Sequence, residues 1–105
     1  MNKNLEKIFS PKLKIWLEAN GSILFGSGRV ALFEAIEETG SIRQAAAKLG
    51  MSYRAAWGKI KATEDRLGLQ LVEKYAGGHQ SGSHLTDFAR QLLSCYKNFE
   101  SDSYA

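Results

Sequence analysis

The chain has 105 residues, 44% hydrophobic and 24% charged, with 14 Lys+Arg against 11 Asp+Glu for a net charge of +3. That length suits one domain with its own core, and that composition excludes disordered and fibrous chains. A lone cysteine, Cys95, excludes an internal disulfide, the Cys-rich zinc spacings are absent, and no apolar run nears the roughly 18 residues of a membrane span. The start MNKNLEKIF also lacks the apolar core of a signal peptide. The expectation is therefore a soluble cytoplasmic protein, in a reducing compartment and without a membrane partner.

Residues 1–11 form an N-terminal segment of no clear periodicity, where Leu5, Ile8 and Phe9 make either a short helical turn or a frayed end. A single domain is expected over 12–105. From Lys12 the pattern has period two, with Leu13, Ile15 and Leu17 on one face and Lys12, Lys14, Trp16 and Glu18 on the other. Asn20-Gly21 suits the two positive φ values of a type I′ turn, and Ser22 to Phe25 return toward Gly26-Ser27-Gly28. A β-hairpin over 12–26 is predicted.

The period then becomes helical. Val30, Phe33 and Ile36, with Ala31 and Ala35, make the apolar stripe of a helix over 29–39 that stops at Thr39-Gly40. Ser41 and Gln44 have capping-box spacing, each side chain meeting the other's backbone N–H, for a helix from Ile42 to Leu49. Gly50 suits the left-handed position after it. Ser52 caps a third helix, Tyr53 to Leu67, with Ala56, Ile60, Thr63 and Leu67 inward and Gly68 at its end. Residues 69–86 read as a second hairpin: Leu69, Leu71 and Lys74-Tyr75, a glycine-rich tip, then His84-Leu85-Thr86. Thr86 or Asp87 caps a last helix, 86–100, striped by Leu85, Phe88, Ala89, Leu92, Tyr96 and Phe99.

The informative stretch is 41–67. Two helices joined by a short turn cross steeply only where small residues let their backbones approach, and Ala45, Ala46 and Ala47 face Ala55 and Ala56 across it. Ala46, Gly50 and Ser52 fall at helix-turn-helix spacing. In that motif the first helix braces on the phosphate backbone and the second enters the major groove, its N-terminal side chains at base edges. Ser52, Tyr53 and Arg54 occupy that place, and Arg54 suits a bidentate contact to guanine. An αα-corner that never touches DNA is the plainer reading. Two features favour DNA: a glycine-rich hairpin follows the second helix, as a wing would, and residues 41–74 hold seven basic against three acidic residues, a net +4 that leaves the remainder at −1.

Within this stretch Arg43 and Gln44 begin the bracing helix, where backbone N–H groups attract phosphate, although the capping box competes for Gln44. Tyr53 and Trp57 serve packing or DNA contact. Lys59, Lys61 and Lys74 suit phosphate contact, which needs only charge. His79 at the wing tip either touches phosphate or minor groove or lies in an exposed loop. His79, His84 and Cys95 are too few for a structural zinc site, and no metal or cofactor is expected. Cys95 reads as a small core or interface residue. On the last helix Leu85, Leu92 and Phe99 are seven apart, as are Ala89 and Tyr96, with Phe88 and Leu93 on further sides. That is more apolar surface than one small core needs, which points to self-pairing.

Residues 40–57, Gly-Ser-Ile-Arg-Gln-Ala-Ala-Ala-Lys-Leu-Gly-Met-Ser-Tyr-Arg-Ala-Ala-Trp, closely resemble the N-terminal DNA-binding domain of the molybdate-responsive ModE regulators. More distantly they are similar to the winged helix of LysR-type regulators, which share Ile60-Lys61-Ala62 and the Leu67-Gly68 to Leu71-Val72 ending. The resemblance covers about residues 12–100, including Gly77-Gly78, Leu85-Thr86 and the leading hairpin that LysR proteins lack. It implies a homodimeric transcription factor on a palindromic operator, paired through its first and last helices, with Phe33, Phe88, Leu92, Tyr96 and Phe99 at that surface. ModE proteins carry a C-terminal oxyanion-binding module. This chain ends at Ala105, so a stand-alone form that does not itself bind molybdate or tungstate is expected.

The fold class expected is mainly α with small β: a winged helix-turn-helix preceded by a β-hairpin and followed by a C-terminal dimerisation helix. An enzyme is not expected, since no Ser-His-Asp or Cys-His arrangement is evident and the glycine-rich segments lack the lysine and helix context of a phosphate loop. The alternatives are a winged helix used for protein contacts and an inactive heterodimer partner of a longer regulator.

Overall fold

The computed structural model describes residues 14–19, 21–75 and 82–104. Strands β1 (Trp16–Ala19) and β2 (Ser22–Gly26) pair antiparallel, with an irregularity between Leu17 and Glu18. Three helices follow: α1 (Ser27–Thr39), α2 (Ile42–Lys48) and α3 (Tyr53–Leu67). Strands β3 (Val72–Tyr75) and β4 (Gly82–Leu85) form a second antiparallel pair, and α4 (Asp87–Tyr104) ends the described chain. This is a winged helix-turn-helix with a leading hairpin and a long final helix. No helix among the described residues is long and apolar enough to cross a membrane. Residues 1–13, Asn20 and the wing tip 76–81, which holds His79, lie outside the described residues.

Some boundaries differ from expectation. The first helix begins at Ser27 rather than residue 29, because Gly26 is the extended residue before it and Gly28 falls in the first turn. The last helix runs past Glu100 to Tyr104. Its cap is Thr86, whose Oγ1 accepts from the Ala89 N–H (3.2 Å) and donates to the Gln70 carbonyl (2.9 Å).

The core joins every layer. Phe25 of β2, Leu32, Phe33 and Ile36 of α1, Ile60 of α3, Leu71 just before β3, Leu85 of β4 and Tyr96 of α4 are all essentially inaccessible. The Phe25 ring lies 5.4 Å from Phe33 and meets Tyr96 edge-on at 6.0 Å. The Tyr96 hydroxyl donates to the Ile15 carbonyl (3.0 Å), which ties α4 to the leading hairpin. Phe33 and Tyr96 therefore do not belong to a dimer surface, as the resemblance implied: each is 1% exposed within its own domain. Ion pairs Arg90–Glu37 (3.1 Å) and Lys97–Glu34 (2.9 Å) then hold α4 against α1. Hydrogen bonding to these carboxylates raises the pKa of Arg90 and of Lys97 above their ordinary values, so both stay cationic at physiological pH.

Between α2 and α3 the backbone makes a Schellman turn. Met51 N–H reaches the Ala46 carbonyl (3.0 Å) and Gly50 N–H the Ala47 carbonyl (3.2 Å), with Gly50 at φ +69°. Ala45, Ala46 and Ala56 are buried at the crossing, whereas Ala47 and Ala55 face outward. A Cβ at Gly50 would meet nothing within 4 Å, so Gly50→Ala suffers only the left-handed strain. Urea unfolding of that variant is expected to show a loss of about 1–2 kcal/mol.

Candidate nucleic-acid interface

The α3 helix turns one side inward through Ala56, Ile60 and Thr63, all 1% exposed or less. Its opposite side is open and carries Arg54, Ala55, Gly58, Lys61 and Ala62. Ala55, Gly58 and Ala62 recur at helical spacing, so almost no side chain stands between this helix and a surface laid against it. Gly58 and Ala62 were not singled out from the sequence and Ala55 was assigned to the crossing, although their i, i+3, i+7 pattern opposite the buried stripe was available. Arg54 projects from the first turn of that open side, and Ser52 precedes it with its Oγ accepting from the Ala55 N–H (3.0 Å). That bond leaves the Ser52 O–H proton to donate outward.

Tyr53 and Trp57 are half-buried against the core, and each carries a cation on its free face. The Arg43 guanidinium carbon lies 4.5 Å from the Tyr53 ring centroid, and Lys74 Nζ lies 4.8 Å from that of Trp57. Cation–π contact holds both charges beside α3 without neutralising them. Arg43 comes from α2 and Lys74 from β3, so three elements place positive charge on one side. A cavity of about 230 Å³ lined by Ser41, Ile42, Arg43, Tyr53, Lys74 and wing residues Gly82 and Ser83 lies between them.

The Ser41–Gln44 cap is only half as drawn. Ser41 Oγ accepts from the Gln44 N–H (3.1 Å), but the Ser41 N–H goes to Thr39 Oγ1 (3.3 Å), so the Gln44 side chain is not held by the reciprocal bond and is exposed. Lys61 makes a loose pair with Asp65 (3.9 Å), both well exposed. Lys59 is exposed on another side of α3. His84 meets the Glu73 carboxylate across the wing ladder (3.0 Å). Among the described residues no group of three or more His, Cys, Asp or Glu could hold a metal ion.

Two residues that position the site went unread. Glu64 sits in the basic stretch, yet its carboxylate accepts from the Leu71 N–H (2.7 Å) and the Val72 N–H (3.2 Å), fastening the wing to α3. Arg29 of α1 donates from Nε to Thr63 Oγ1 (2.9 Å), which in turn donates to the Lys59 carbonyl (2.9 Å). No local pattern signals either contact. The wing is also pinned at its other strand, where the Ser83 N–H reaches the Gly40 carbonyl (2.8 Å).

Comparison with known proteins places this geometry. The family model described as bacterial regulatory helix-turn-helix protein, lysR family, matches residues 28–90. The chain is 41% identical over 73 residues to the molybdenum transport protein ModE of Azotobacter vinelandii, an alignment covering 69% of this chain and 27% of that one. It is 39% identical over 85 residues to the molybdenum-pterin-binding protein MopB of Rhodobacter capsulatus, covering 80% and 31%. The chain thus spans less than a third of the length of these curated relatives. Among solved structures the CbnR_DBD–DNA complex is similar at a TM-score of 0.57 and 25% identity, over 72% of this chain and 83% of that one.

Proposed function

We propose that this chain, which belongs to the lysR family of bacterial regulatory helix-turn-helix proteins and is ModE-like in sequence, binds a palindromic operator as a homodimer. It is a DNA-binding transcriptional regulator domain. The observation that carries the reading is the open side of α3: a small-residue surface headed by Arg54 and flanked by cations that aromatic rings hold in place. Small residues admit close approach to base edges, and Arg54 supplies the donor pair that matches guanine. Arg43, Gln44, Ser52 and Tyr53 fit the backbone on the α2 side, with Trp57 positioning Lys74 and Lys61 beside the wing. His79 belongs to the same wing by sequence, and Lys59 serves the far side.

Pairing is assigned to α4. Phe99 is 54% exposed and Phe88 37%, with Leu92 and Leu93 half-buried beside them. A soluble domain gains nothing by wetting two phenylalanines on one helix, and covering them with the same helix of a second copy removes that surface from water. Such a dimer works in the bacterial cytoplasm, where operators are. Selection of bound sequences from a random duplex pool tests the reading: an inverted repeat is expected, and failure to enrich any sequence would overturn it.

Lys61 supplies a cleaner probe of backbone contact. Breaking its exposed pair with Asp65 costs nearly nothing in stability. Lys61→Ala is expected to weaken binding to all duplexes alike and to reduce the slope of log K against log salt by about 1, read by fluorescence anisotropy at several salt concentrations.

A further inference from the structure

Lys59 and Lys61 are two positions apart on α3, which turns them about 200° from one another around the helix axis. A helix in the major groove has a phosphate backbone on each side. Lys61 leans toward the wing, lining a groove with Trp57 and Lys74. Lys59 leans the other way and lines a cavity of about 430 Å³ between α3, the first turn of α1 and the leading hairpin. Lys14 and Arg29 line the same cavity, with Trp16, Ile15 and Met51 as apolar wall and Gly26 and Gly28 as a floor without side chains. Three cations from distant parts of the chain, Lys14 just before β1, Arg29 of α1 and Lys59 of α3, converge there, and no carboxylate is among the described residues lining it. None of the described ion pairs engages them: Arg29 is fixed through Nε to Thr63, which leaves its terminal nitrogens to donate elsewhere.

We propose that this cavity is a second phosphate-binding flank, in which Lys14, Arg29 and Lys59 receive the duplex backbone on the side of α3 away from the wing. The leading hairpin thereby extends the DNA footprint beyond the helix-turn-helix and wing. The inference rests on the DNA-binding reading above. DNA is favoured over a small anion because the charges sit along the flank of α3, where a groove-bound helix meets phosphates. Met51, in the turn leading into α3, borders the same cavity. Repulsion among three cations that form no ion pair among the described residues is a cost that a polyanion relieves.

Two variants test it. Lys14 is exposed, so Lys14→Ala leaves the fold intact. Its removal is expected to reduce the salt slope by about 0.9 and to cost about 8-fold in affinity at 0.1 M salt, a loss that fades toward 1 M. Gly28 is the second residue of α1, and a Cβ there would meet nothing within 4 Å. Gly28→Asp places a carboxylate in the cavity while favouring the helix start, so its Tm is expected to equal or exceed that of wild type. Its affinity for the selected operator is expected to fall by about 10-fold or more at 0.1 M salt, and by clearly more than that of neutral Gly28→Asn, whose side chain has nearly the same size, so that the difference between the two reads the charge alone. A stabler protein that binds DNA worse cannot be a misfolded one.

If Lys14→Ala and Gly28→Asp bind the operator as wild type does while Arg54→Ala loses discrimination, the second flank is wrong and the DNA-binding reading stands. If wild type binds no duplex, both fall together. Titration with inorganic phosphate and with benzoate provides the remaining arm. Micromolar saturation of the cavity by either, with duplex affinity indifferent to both variants, would assign it to a free anion and overturn the proposal.

Discussion

Phe33→Ala is expected to lower the unfolding free energy by about 3–5 kcal/mol, enough to leave a domain of this size close to unfolded at 37 °C. Phe33 is 1% exposed, with its ring against Phe25 and, through Phe25, against Tyr96. Truncation removes contacts in α1 and in the hairpin and α4 that close over it, so the cavity left behind cannot collapse without moving three elements. The control is Phe99→Ala on the proposed pairing surface of α4. Phe99 is 54% exposed, so its truncation is expected to change the stability of the isolated domain by less than about 0.5 kcal/mol. It should instead weaken self-association, seen by sedimentation over a concentration series. Urea unfolding of both variants at two protein concentrations separates the roles. A Phe33→Ala chain that kept its midpoint but dissociated would return Phe33 to the interface and overturn the core assignment.

The contrast between these two phenylalanines marks where the sequence could be read and where it could not. Helix stripes, caps and turn glycines are local: Ser52 and Gly50 act on backbone within a few residues, and both take the roles their spacing implies. Sidedness in three dimensions is not local. A stripe on α4 reads the same whether it covers the domain's own core or a second copy, and only the Tyr96 hydroxyl on Ile15, 81 residues away, decides for the core. The same holds at the site. The place of Arg54 and Lys61 on α3, and the strand pair that follows, were legible because the helix-turn-helix is a contiguous motif. The contact of Arg29 with Thr63 and that of Glu64 with the wing amides were not, because each joins elements whose meeting depends on the whole fold. The reciprocal bond of the Gln44 side chain in the cap failed for a smaller reason: Thr39, just upstream of the cap, offered its hydroxyl to the same N–H.

Arg54→Ala is expected to cost about 1–3 kcal/mol on the preferred operator and little on a duplex changed at the contacted base pair, so that discrimination at that position is lost. Arg54 is exposed in the first turn of α3 and makes none of the ion pairs that engage Lys48, Lys61, Arg90 and Lys97. Its removal therefore leaves no buried partner unsatisfied, and Tm should be unchanged. The neighbouring cations give the control. Arg43 and Lys74 rest on aromatic rings, a geometry that presents charge to phosphate and not a donor fork to a base. Arg43→Ala and Lys74→Ala should shift all sequences together and flatten the salt dependence, as for Lys61→Ala. Arg54→Lys is the sharper test, because it keeps the charge and loses the planar fork. A lysine that restored affinity at low salt but not the preference for the original base pair would fix the role of Arg54 as base contact. Restoration of the preference in full would reduce Arg54 to one more phosphate contact, and the source of sequence selectivity would have to be sought elsewhere on α3.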